Sequence, residues 1–336
     1  MNAVLTRTGF EAWTGRLVRR LRRRYNDQCI TILAYHSIAT EDSIFTVGTG
    51  LRHHPREFER QIDYLAAHYN ILSLRRIVEM LERGEQPRRA VALTFDDGYA
   101  DSLRKAMPIL YRRRIPMTVF PVTSVIGNRD LLWQHKLAWL VDQGHETRVV
   151  DALRAEGWQI VPDAGPVSEF VRRNYRPSLP KVLDAVLEMV GQSAAGLAAK
   201  HRPYLEPEEI AQADAQFVEF GNHTDTHPVL SALTVCQQNA EIATAGQKLA
   251  DWTGRPPLAV AFPFGLKAHY GDDAKRLAQE TGHRATLDLR RRMNVGRVSP
   301  FDLSRRPATR GTQRDFEMMI ETWPANAQGS PPMETW

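Results

Sequence analysis

Only two cysteines, Cys29 and Cys236, occur in the 336 residues, and they stand far apart in no CxxC pattern. That scarcity excludes a disulfide-stapled scaffold and a cysteine-based zinc site. A chain this long can bury a full core without staples. No apolar run approaches the ~20 residues of a membrane-spanning helix. A secretory signal needs an apolar stretch of about 7–15 residues after its charges. None follows the N-terminal arginines, so a cytoplasmic location is expected. Lysine is scarce as well: seven against 37 arginines, a bias of genome composition rather than of function.

Surplus positive charge is also missing from most of the chain. The formal net charge is +5, but residues 1–25 hold seven arginines and one glutamate, which is +6. The remainder is therefore near −1, and no basic face for nucleic acid is expected on the main fold. In the arm, Phe10, Trp13, Leu17 and Leu21 recur at helical spacing beside the arginines. Two readings follow. Residues 10–24 could lie as a basic amphipathic helix on the inner membrane face, or a terminal helix could pack its apolar stripe on the fold.

The chain is 43% hydrophobic and 25% charged, as in an ordinary soluble domain. From Cys29 onward, short apolar runs alternate with helical patterns. ITILAY (30–35), VALTF (91–95), MTVFPV (117–122), FVEFG (217–221), LAVAFPF (258–264), residues 284–287 and a run near Leu303 read as strands. Residues 58–68, 74–81, 103–111 and 236–252 read as helices. Such alternation predicts parallel βα units, in a barrel or an open sheet. Residues 128–212 break it with helical patterns and no convincing strand, so they are expected to form a helical insertion within a domain spanning 26–312. Residues 313–336 are expected to be a partly disordered tail, Pro- and Gly-rich from Pro324.

Three polar clusters fall at expected strand ends, where parallel α/β folds bind ligands. They are Thr94-Phe95-Asp96-Asp97-Gly98, His223-Thr224-Asp225-Thr226-His227 and Phe262-Pro263-Phe264-Gly265. Each has a plain structural reading: Asp-Asp-Gly makes turns, and two histidines four apart recur by chance. Together they suggest more. Histidines at i and i+4 on one helical turn can grip a metal, and a carboxylate from a neighbouring strand end completes a 2-His-1-carboxylate set with open positions. Zinc hydrolases and non-haem iron oxygenases both use such sets. The second carboxylate discriminates, because a hydrolase needs a base beside the reacting water. Asp96, next to a ligating Asp97, favours the hydrolase.

These residues resemble the polysaccharide deacetylase (NodB-homology) group of carbohydrate esterase family 4. The match rests on T-F-D-D-G, then H-T-D-T-H, then F-P-F-G, over roughly residues 29–310. Ala34-Tyr35-His36-Ser37 and the Thr94–Pro108 block also resemble a branch associated with bacterial exopolysaccharide genes. The resemblance implies a distorted (β/α) barrel and one divalent metal, usually zinc. Asp97, His223 and His227 would be its ligands and Asp96 the general base. A backbone N–H of the Pro263-Phe264-Gly265 turn would help hold the oxyanion. The product would be a free amine and acetate, from an N-acetylated amino sugar in a glycan or a glycolipid precursor.

Two family features are missing. The arginine expected two residues before Pro263 is Ala261, so Arg306 or Arg255 is the candidate for orienting the base. No late Leu-x-His supplies a general acid. His36, at the end of the first strand, is the candidate by position, ahead of His269 and His283. Trp133 and Trp139 suit sugar stacking or helix packing, and packing is the stronger reading. Besides deacetylation, the residues allow a deformylase or other small C–N amide hydrolase, or a non-catalytic glycan-binding relic.

Overall fold

A computed structural model describes residues 29–47, 49–160, 165–290 and 292–321. The arm expected at residues 1–25 and the chain beyond residue 321 lie outside the described residues. Strands β1 (Cys29–Tyr35), β2 (Ser37–Ile38), β3 (Arg52–His53), β4 (Asn70–Ile71), β5 (Ala90–Asp97) and β6 (Met117–Pro121) come first. Strands β7 (Val218–Phe220), β8 (Ala259–Ala261), β9 (Ala285–Asp288), β10 (Asn294–Val295) and β11 (Leu303–Pro307) follow. The main sheet runs β7-β6-β5-β1-β11-β9-β8, with every adjacent pair parallel. Its two edges meet at one residue. Asn222, just past β7, donates its N–H to Ala259 O and accepts from Ala261 N–H, bridging to β8. The result is a seven-stranded (β/α) barrel closed at a single point, which is the distortion.

Why these segments are strands follows from burial on both faces. A parallel strand covered on both sides reads as a nearly continuous apolar run, as CITILAY and AVALTF do. Alternate residues separate the two sides. Ile30, Ile32, Ala90, Ala92, Ala259, Ala261 and Leu287 fill the barrel around Phe120. Leu33, Tyr35, Leu93, Phe95 and Val119 face outward into the core shared with the surrounding helices, where Phe58 of helix Pro55–His68 packs on Tyr35 and Phe95. The interior is narrow. A Cβ on Gly221 would stand 2.2 Å from the Phe120 ring, so glycine is required there.

Between β6 and β7 the chain forms six helices, from Trp133–Asp142 to Pro207–Gln212, and no strand among the described residues. Lys136 anchors this insertion: it is 1% exposed and paired with Asp130 at 2.9 Å and Asp184 at 2.8 Å. No single described helix is long and apolar enough to cross a membrane. Residues expected to open the tail instead form helix Gln313–Glu321. Its buried Phe316 and Ile320 join the core, and the Glu321 carboxylate accepts from the Tyr64 and Tyr69 hydroxyls. The packed domain therefore runs past residue 312.

Candidate metal centre

The site begins with strand parity. β1 and β5 pair Ala34 with Thr94, and β1 and β11 pair Ile32 with Arg305. Residues level with one another share a face, and every second residue returns to it. Arg305, Thr94 and Asp96 therefore look into the barrel mouth, and His36, next in the series Ile32-Ala34, joins them. Asp97 has the wrong parity for this face. It sits at φ +66°, and Gly98 at φ +73°, so the backbone turns left-handed where the strand ends and both carboxylates reach the same cavity. A Cβ at Gly98 would press on Pro121 at 2.8 Å, which explains the glycine of Asp-Asp-Gly.

Residues 221–229 form a loop, not the helical turn expected from the i, i+4 spacing. Thr224 and His227 both take left-handed φ, +68° and +59°, and this fold-back brings the two imidazoles within 5.0 Å of each other. Such backbone costs about 1–3 kcal/mol per residue unless held. Hydrogen bonds within the motif and to residues outside it hold it. Thr224 N–H donates to Asn222 Oδ1, and His227 N–H to Thr224 Oγ1. Asp225 and Thr226 N–H both donate to the Glu241 carboxylate, and Lys248 and Thr123 donate to Asp225.

Asp97, His223 and His227 each offer one ligand atom within 4.8 Å of the others. Asp97 Oδ1 lies 3.6 Å from His223 Nε2 and 3.5 Å from His227 Nε2. Tetrahedral ligands about 2.0–2.2 Å from a zinc-sized ion stand about 3.4 Å apart, so the three fit one. Electrostatics agrees. Asp97 Oδ1 is buried without a hydrogen-bond partner. Burial, then the Asp96 charge, pushes its carboxyl well up, which a divalent cation would reverse. Burial holds both imidazoles below their ordinary range, neutral and able to ligate. His223 Nδ1–H donates to Ala261 O at 2.6 Å, leaving Nε2 to face Asp97.

The arginine on Asp96 is Arg305, not Arg306. Its Nη1 and Nη2 donate to Asp96 Oδ1 and Oδ2 at 2.6 and 2.7 Å. Burial alone would raise the Asp96 carboxyl, but this pairing brings it well below the usual carboxylate range. Arg306 has the opposite parity and sits beside Cys29, where burial lowers it to about 10. Arg255 acts on Glu219 instead. His36 lines the cavity with Nε2 4.0 Å from Asp96 Oδ2, whereas His283 is engaged with Ala278, Thr281 and Asn222. Burial pushes His36 down to about 4, against the pull of Asp96. His269 lies behind Phe264.

These groups open into one cavity of about 510 Å3. Phe264 lines it, its ring 4.9 Å from that of His227. Pro263 and Gly265 shape the turn instead: Gly265 has φ +66°, and a Cβ there would meet Leu289 N at 2.7 Å. Trp133 is buried in the cavity wall, donating from Nε1 to His227 O at 3.1 Å, and Trp139 packs on the core. Arg305 and Gln134 were missing from the sequence-based candidates. Adjacent arginines in one strand are a signal that one of them faces inward, but the pairing register decides which.

The family model for polysaccharide deacetylase matches residues 83–161 and 163–286, more than half of the chain. Bacillus subtilis YxkH is 30% identical over 132 residues, 38% of this chain and 45% of that protein. A Staphylococcus epidermidis poly-beta-1,6-N-acetyl-D-glucosamine N-deacetylase is 28% identical over 142 residues, 38% of this chain and 48% of that protein. The matches thus span about half the length of these relatives. Among solved structures, the Streptococcus pyogenes deacetylase PplD, in complex with acetate, superposes with a TM-score of 0.59 at 17% identity. That match covers 87% of this chain and 98% of PplD, and it shows a shared fold.

Proposed function

The chain belongs to the polysaccharide deacetylase family, and from that premise we propose that it is a metal-dependent hydrolase removing an N-acetyl group from an amino sugar. The substrate would be a polysaccharide, an oligosaccharide or a lipid-linked glycan precursor, and the metal zinc, one per chain. The observation that carries the reading is the buried, unpartnered Asp97 Oδ1 facing two neutral imidazoles, with the Arg305-paired Asp96 in the same cavity. The substrate in the name of the S. epidermidis relative supports the acetamido-sugar class.

Asp97, His223 and His227 would hold the metal, which supplies Lewis-acid polarisation of the amide carbonyl and of the attacking water. Asp96 accepts the water's proton. Its Arg305 partner keeps it ionised and makes it a weak base, so its work depends on that polarisation. The leaving nitrogen then needs one proton. His36 is neutral at pH 7 and brings none of its own. The proton delivered is the one Asp96 took from water, passed on directly or through His36 at 4.0 Å. A backbone N–H of the Pro263–Gly265 turn would hold the oxyanion.

The test pairs elemental analysis with acetate release from N-acetylglucosamine oligomers and formate release from their N-formyl counterparts. About one zinc per chain is expected in the parent and none in His223→Ala/His227→Ala. Asp96→Asn should keep the metal and lose turnover. A parent that takes up no divalent ion would overturn the reading, and an active Asp96→Asn would remove the base. The reading of residues 10–24 as a membrane contact rests on their arginines and apolar stripe. Vesicle sedimentation with and without residues 1–25 tests it, and equal binding would dismiss it.

A further inference from the structure

The two candidate metal histidines are braced by different parts of the fold. His223 is held from the barrel, through Ala261 O. His227 is held from the insertion, by the first turn of helix Trp133–Asp142. Trp133 Nε1 donates to His227 O, and the Gln134 side-chain amide nitrogen lies 2.5 Å from His227 Nδ1. Gln134 Oε1 is buried and has no hydrogen-bond partner. His227 Nε2 lies 3.5 Å from Asp97 Oδ1, and ligation there needs the Nε2 lone pair, with the ring proton on Nδ1.

A half-turn of the amide exchanges nitrogen and oxygen. The orphaned Oε1 then accepts from Nδ1–H, and Nε2 presents its lone pair beside Asp97. We infer that Gln134 is a positioning residue for the metal site: its amide oxygen holds the His227 proton on Nδ1 and so keeps Nε2 free to ligate. The helical insertion thereby becomes part of the metal centre. The inference rests on the metal reading of the proposed function and deepens it.

Partners that orient a ligating imidazole typically change metal affinity by roughly 10–100-fold when removed. Gln134 is only partly buried, so its replacements should fold. Zinc affinity is measured by chelator competition on the full chain, with thermal unfolding alongside. Gln134→Leu removes donor and acceptor and should weaken zinc binding roughly 10–100-fold. Gln134→Glu keeps the acceptor and loses the donor, so its affinity should equal or exceed the parent's. Nitrogen-15 imidazole spectra of the zinc-loaded parent should place the His227 proton on Nδ1. Parent-like zinc affinity in Gln134→Leu, or equal weakening in Leu and Glu variants, would overturn the inference. A parent that binds no zinc would instead overturn the proposed function.

Discussion

Arg305→Met should damage this protein in a way that depends on pH. The Arg305 side chain is 0% exposed and that of Asp96 3%, and two hydrogen bonds join them. The guanidinium also reaches Thr94 Oγ1 and lies 5.5 Å from the Phe120 ring centre. Methionine preserves most of the stem volume but strands the Asp96 charge. Breaking one partner of a buried pair costs about 3–5 kcal/mol. Asp96 lines a cavity that water can enter, so about 3 kcal/mol at pH 7 is expected. The sign with pH follows. In the parent, Asp96 titrates below its unfolded value, so the pair's stabilisation is full above about pH 4 and is lost as pH falls through the folded value. In the variant, burial acts unopposed and raises Asp96, so the stability gap should widen from pH 4.5 to pH 7. The acid limb of acetate release should move to higher pH. Urea unfolding at both pH values and a pH–rate profile measure this. Adding Asp96→Asn to Arg305→Met should recover part of the loss, since no charge is then stranded. A variant within about 1 kcal/mol of the parent at pH 7, with an unmoved acid limb, would refute the argument.

Other outcomes follow from the same geometry. Gly265→Ala forces a left-handed φ on a residue with a Cβ and drives that Cβ toward Leu289 N. About 1–3 kcal/mol should be lost in thermal unfolding, with slower acetate release as Phe264 shifts. Phe316→Ala empties a core position on helix Gln313–Glu321 and should cost about 3–5 kcal/mol in denaturant unfolding; no cost would mean that this segment is a dispensable tail. Chelation should abolish activity and lower the unfolding temperature. Zinc at a hundred times its dissociation constant should restore about 2.7 kcal/mol, and calorimetry reads both directions.

Much of the fold follows from local pattern alone. The apolar runs at Ile30, Val91, Met117 and Leu258 are strands because burial on both faces demands them, and the helical spacing at residues 58–68 and 236–252 is realised in Pro55–His68 and Val235–Thr253. The acidic and histidine clusters announce themselves because chemistry of this kind needs those side chains whatever the scaffold. Local pattern misplaced the histidines' geometry. Spacing of i and i+4 suits a helix, yet braces from Glu241 and Asn222, distant in the chain or outside the motif, pay for a left-handed loop.

Residue types and their clustering at strand ends were determined by the sequence: two carboxylates after one strand, two histidines after another, an arginine pair in the last. Tertiary structure alone decided which atoms meet. Arg305 reaches Asp96 because Ile32 is level with Arg305 in the sheet, and a one-residue slip would have chosen Arg306. Gln134 reaches His227 across 93 positions because the insertion folds back over the barrel mouth. Register and docking are set by long-range packing, and the energy of that packing is shared among residues no local window contains.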